Sequence, residues 1–114
     1  MYSQIVIWNI INKDSAMEIK TPKISEILLE EFMQPYGISA YRLAKDINVP
    51  VSRVQDILHD RRKISVDTSL RLGKYFAVSE KYFLDMQNDI DLRNEKSRIA
   101  AELEAIPLAV KSDQ

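Results

Sequence analysis

Four cations stand close together in the stretch NVPVSRVQDILHDRRK at residues 48–63: Arg53, Arg61, Arg62 and Lys63. At that density their chemistry is the grip of anions, phosphate above all, because Arg forks onto two oxygens and Lys acts as a compact point charge. Arg42 and Lys45 enlarge the group from just upstream. Residues 39–64 hold six cations against three acids, Asp46, Asp56 and Asp60, whereas residues 85–114 hold four cations against seven acids. A formal net charge of −1 over 114 residues therefore conceals a basic middle of net +3 and an acidic tail of net −3. Different faces meeting different partners would produce such a division.

Little other chemistry is on offer. With no cysteine there is neither a disulfide framework nor a thiolate metal site, and a reducing cytoplasm is the expected compartment. His59 is the sole histidine, without clustered carboxylates at metal spacing. Neither a glycine-rich phosphate loop nor a nucleophile-base pair occurs. The expectation is a protein that is not an enzyme and uses no metal, cofactor or small-molecule substrate. The apolar opening YSQIVIWNII is too short to span a bilayer and lacks both a preceding cationic region and a cleavage site, so no membrane contact is expected.

The elements that must position the cations are helices. Glycine is confined to Gly37 and Gly73, apolar residues recur at three and four, and Pro22, Pro35, Pro50 and Pro107 punctuate the chain. The spacing predicts a first helix over 22–34, with Ile24, Ile27, Leu28 and Phe32 or Met33 inward and Pro35 and Gly37 as its stop. Ser39 caps a short second helix, SAYRLAKDI; Pro50 starts a third, VSRVQDILH. Ser65 caps a fourth, SVDTSLRLGKYF, and Ser79 a fifth, SEKYFLDMQN. A last helix over 91–106 carries Leu92, Ile99, Leu103 and Ile106.

Helices two and three are short and separated by two or three residues, which is the helix-turn-helix pattern. Ala44 supplies the small side chain their close crossing needs, and Asn48 tolerates the positive φ that the turn demands. Leu43, Ile47, Val49, Val54 and Ile57 supply apolar contacts on both sides. The ordered blocks EILLEEFMQPYGIS, LAKDINVPVSRVQDIL, RRKIS, TSLRLGKYF, SEKYFLDMQNDIDL and AIPL resemble HigA-type antitoxins of the Xre/lambda-repressor-like group over residues 22–109. Pro50 stands where that family commonly has Ser or Thr, and His59-Asp60 where it commonly has Asn-Gly. The resemblance implies an all-α, lambda-repressor-like domain of five or six helices. It further implies a cytoplasmic homodimer that binds palindromic operator DNA through the major groove, represses its own operon and neutralises a RelE/HigB-like mRNA-cleaving toxin. A stand-alone Xre-type repressor of phage or mobile-element origin is the first alternative, and a protein-interaction module that has lost DNA binding the second.

Rotation by 100° per residue along 51–59 buries Val54 and Ile57, leaves Leu58 at the margin and centres the opposite face on Ser52, with Gln55, Asp56 and His59 around it. Base-reading candidates are then Val51, Ser52, Gln55 and Asp56, each good bidentate pair supplying roughly 1–3 kcal/mol of discrimination. Phosphate-contact candidates are Ser39, Arg42, Lys45, Arg53, His59, Arg61, Arg62 and Lys63. If half of the six cations contact phosphate in each subunit, a dimer neutralises about six charges and log affinity falls against log salt with a slope of about −5. The blander readings are a solvated basic turn, an Asp56–Arg53 pair at three-residue spacing, and a merely solubilising acidic tail. Tyr75, Phe76, Tyr82, Phe83, Leu84 and Met86 read as core and dimer interface.

Three segments follow. Residues 17–84 form the helix-turn-helix domain, and residues 85–114 an acidic helical segment for dimerisation, toxin contact or both. Residues 1–16 precede a second plausible start at Met17 and leave room for a short β-strand that adds to a partner sheet.

Overall fold

The computed structural model describes residues 21–111, and every element among them is helical. The N-terminal strand expected in residues 1–16 lies outside the described residues. The first helix, α1, begins at Ile24–Ile27, where the Glu26 carboxylate accepts from the Lys23 amide at 2.8 Å. It continues as a π-helical turn, Leu28–Met33, and ends in a 3-10 turn, Gln34–Tyr36. Pro35 cannot donate an amide hydrogen and Gly37 takes φ +64°, so the chain leaves the helix where those residues predict.

The remaining helices are α2 (Ala40–Ile47), α3 (Val51–Leu58), α4 (Val66–Phe76), α5 (Tyr82–Arg98) and α6 (Ala100–Glu104). The predicted caps of α2 and α4 form: Ser39 accepts from the Arg42 amide at 3.1 Å and Ser65 from the Thr68 amide at 3.2 Å. Two expectations about the C-terminal third are corrected. Ser79 does not cap the fifth helix, which starts at Tyr82 after a turn in which Ser79 Oγ accepts from the Lys81 amide. No break separates 79–88 from 91–106 either; α5 runs through to Arg98, because nothing between Asn88 and Asp91 interrupts the backbone ladder, and the chain bends at Ile99 instead.

One core joins the helices. Ile27, Leu28 and Met33 of α1 meet Leu43, Ala44 and Ile47 of α2, Val54 and Ile57 of α3, Leu72 of α4, and Tyr82, Phe83, Met86 and Ile90 of α5. Phe32 stacks obliquely between Phe76 and Phe83, with ring centroids 5.1 and 4.9 Å away, so aromatic packing ties α1 to α4 and α5. Of the aromatic and apolar run assigned to core and dimer interface, Tyr82, Phe83 and Met86 are buried, while Tyr75, Phe76 and Leu84 are half-buried.

The α4–α5 junction depends on a missing side chain. Ala77 ends α4 in the left-handed region at φ +56°, which turns the chain back until the Ser79 carbonyl lies against Gly73. A Cβ on Gly73 would stand 2.8 Å from that oxygen and 3.0 Å from the Glu80 Cα. Buried Ser69 completes the joint by donating to the Glu80 carbonyl at 2.8 Å. Gly73→Ala is therefore expected to destabilise the domain by about 1–3 kcal/mol through overpacking against backbone, read as a lower urea midpoint with an unchanged denaturant slope.

Candidate nucleic-acid interface

Neighbours hold the eight-residue α3 at both ends. At its start Asn48 adopts φ +60°, and the Val49 amide donates to the Ala44 carbonyl at 2.9 Å, closing the turn from α2. Ala44 is 2% exposed, the close crossing its small size predicts. Pro50 takes the N-cap position in extended conformation. Along the helix Val54 and Ile57 are buried and Leu58 is marginal, whereas Ser52, Gln55 and His59 are exposed on the opposite side, as the 100° rotation requires. Val51 and Asp56 are half-buried at the edges of that face.

Such a helix offers a rigid row of polar side chains with hydrogen-bonding reach and a dry, anchored back. His59 Nδ1 lies 2.8 Å from the Gln55 carbonyl oxygen, so in the Nδ1-protonated tautomer the ring donates to the helix end. The chain then reverses at Asp60, φ +61°, with the Arg61 amide donating to the Asp56 carbonyl at 2.7 Å. Among the described residues, no group of three or more His, Asp or Glu is gathered to hold a metal ion. No described helix is long and apolar enough to cross a membrane.

The cations do not stand bare. Arg61 Nη2 lies 3.0 Å and Arg62 Nε 4.0 Å from Asp56, Lys63 Nζ is 2.5 Å from Asp91, and Arg42 Nε is 3.4 Å from Asp46. Arg53 turns sideways to the first turn of α4, where Nη1 donates to Asp67 at 2.5 Å. The expected Asp56–Arg53 pair does not form: Arg53 finds the α4 carboxylate, and the reversal at Asp60 swings Arg61 and Arg62 back over Asp56. Lys45 is exposed and makes no ion pair among the described residues. Exposed ion pairs of this kind contribute about 0–1 kcal/mol each, little enough for a row of phosphates to replace them.

Two residues that the sequence did not single out position the basic run. Gln87, buried in α5, accepts from the Ile64 amide at 2.8 Å and donates to the Ile64 carbonyl at 2.9 Å. Ser25 of α1 donates to Asp60 at 2.7 Å, and Lys23 approaches the other Asp60 oxygen at 3.5 Å. The signal for Gln87 was available: it is a polar residue within the buried stripe Phe83, Met86 and Ile90. Ser25 gave none, since its partner is 35 residues away.

The helix-turn-helix family pattern matches residues 29–83. Virulence-associated protein I of Dichelobacter nodosus is 44% identical over 68 residues, which span 60% of this chain and 63% of that protein. The Pseudomonas aeruginosa antitoxin HigA, solved with the higBA promoter, is 29% identical and superposes with a TM-score of 0.71 over 78% of this chain and 98% of its own. An addiction module antidote protein of a HigA family from Coxiella burnetii is 30% identical, with a TM-score of 0.72 over 81% of this chain and all of its own.

Asp60 makes the loop geometry measurable. The Ser25 hydrogen bond and then the Lys23 ammonium hold its carboxyl below the ordinary carboxylate range. A depressed folded-state pKa stabilises the fold above an unfolded value of about 4, and that contribution disappears as pH falls through the lower folded value. Ser25→Ala is expected to raise the Asp60 pKa in a carbon-detected NMR titration and to lower stability at pH 7, with the difference from the parent narrowing below pH of about 4.

Proposed function

Because the chain belongs to the Xre-type helix-turn-helix family and has structural relatives among HigA-type antitoxins, we propose that it is an antitoxin that represses its own operon. As a homodimer it binds a palindromic operator and sequesters a RelE/HigB-like ribonuclease encoded beside it. One observation carries the DNA half of this reading: α3 exposes Ser52, Gln55 and His59 on one side, buries Val54 and Ile57 on the other, and runs out into Arg61, Arg62 and Lys63. In a dimer the two copies of α3 enter successive major grooves about 34 Å apart. Val51, Ser52, Gln55 and Asp56 read base edges; Ser39, Arg42, Lys45, Arg53, His59 and the Arg61–Lys63 run hold phosphates. Asp56 takes its base only by giving up part of its contact with Arg61.

The C-terminal third supplies the protein–protein half. Leu92, Leu103, Ile106, Leu108 and Val110 are 61%, 42%, 64%, 90% and 89% exposed, and α6 buries none of its residues. Apolar side chains that stand clear of their own domain mark a partner surface, here the dimer mate. The acidic residues interspersed with them attract a basic, RNA-binding toxin.

One observation favours the protein-interaction module without DNA: Arg42, Arg53, Arg61, Arg62 and Lys63 already face carboxylates of the same chain. Titration of the promoter duplex separates the two readings. An operator-binding dimer loses affinity with a log–log salt slope of about −5, and absent or salt-insensitive binding favours the module. Replacing Arg61, Arg62 and Lys63 together by Ala is expected to abolish promoter binding and leave toxin co-purification intact; the reverse result overturns the assignment. Leu103→Glu with Ile106→Glu is expected to convert the dimer to monomer in sedimentation equilibrium, while an unchanged mass moves the dimer interface elsewhere.

A further inference from the structure

Arg71 of α4 reaches both halves of the helix-turn-helix. Its Nη1 donates to the Ile47 carbonyl at 2.8 Å and to the Asn48 carbonyl at 3.3 Å, capping the end of α2 at the turn itself. Its Nε donates to Asp67 at 2.9 Å, and the same carboxylate oxygen accepts from Arg53 of α3 at 2.5 Å. A chain of hydrogen bonds therefore runs from the α2 terminus through Arg71 and Asp67 to a side chain of the helix posed as reader. Each link crosses from α4 to an element of the pair or returns along one turn of α4.

The geometry points to Arg71 as a positioning residue for DNA recognition: through Asp67 and Arg53 it fixes the angle of α3 against α2, without itself touching DNA. This inference rests on the operator-binding reading above. Its physical basis is that an eight-residue helix has no stiffness of its own beyond its anchors. Val54 and Ile57 fix its back against the core, but a small roll that keeps both buried still moves the exposed readers. Arg53 projects from the side, and a restrained side contact stops the roll. Only a planar guanidinium can serve a carbonyl through one nitrogen and a carboxylate through another in fixed directions; an ammonium carries the same charge without the fork.

The test uses full-length protein carrying Arg71→Lys or Asp67→Glu, both of which keep the net charge, titrated with the promoter duplex and with a shuffled duplex of equal length. For each variant the expected result is loss of about tenfold in promoter affinity, toward the lower end of what one wrong base pair costs. Affinity for the shuffled duplex and the salt slope stay at the parental values, because no phosphate contact is removed. In the double variant the loss is no greater than in the worse single one, since both changes cut one chain. Parallel loss on both duplexes, with reduced helicity in circular dichroism, assigns Arg71 a merely structural part and overturns the inference. Parental discrimination by both variants also overturns it. Failure of the unmodified protein to discriminate between the duplexes overturns the operator-binding reading itself, and the inference with it.

Discussion

Eight residues of helix cannot hold a fixed attitude in water, because two turns form too few hydrogen bonds to offset the cost of nucleation. Everything else in this domain answers that constraint on α3. Val54 and Ile57 insert into a core supplied by all the longer helices, so burial holds α3 to the domain. The turn before it is closed by Asn48 in a backbone conformation that few residues other than glycine adopt readily. Its exit is reversed by Asp60, whose side chain is held from α1. A short helix thereby acquires the rigidity of a much larger body while keeping one face wholly exposed.

Charge is managed with the same economy. A chain of formal net charge −1 presents a basic run because most of its acids lie outside that run in sequence, and folding brings some of them beside the cations. Asp56, Asp67 and Asp91 lie on three different helices, and each meets a cation of the basic stretch. Exposed pairs contribute little to stability, yet they orient long side chains that would otherwise sample many rotamers. Cations oriented beforehand lose less entropy when they bind an anion. The cost is competition, since an anion at Arg61, Arg62 or Lys63 must displace a carboxylate that is already in place.

Much of the architecture was legible because its signals are local. The caps at Ser39 and Ser65, the stop at Pro35 and Gly37, the αL turn at Asn48 and the inward face of α3 all follow from residue type and helical period. The C-terminal helices were misdivided because Ser79 and the polar stretch around Asp89 resemble a boundary, while an unbroken backbone ladder leaves no mark in composition. The π-helical turn in α1 likewise has no residue that announces it.

By itself the sequence determined where the helices up to α4 would lie, which face of α3 would be buried, and that the basic stretch would leave its end. Those outcomes depend on neighbours within one or two turns, where periodicity and propensity act. Only the tertiary structure decided where each cation points. Arg53 pairs with Asp67 rather than Asp56, Lys63 with Asp91, and Ile64 with Gln87, because folding brings residues from separate helices within a few ångströms. No local rule contains those distances. The posture of the proposed grip is therefore a property of the packed helices, although its chemistry could be read directly from the residues.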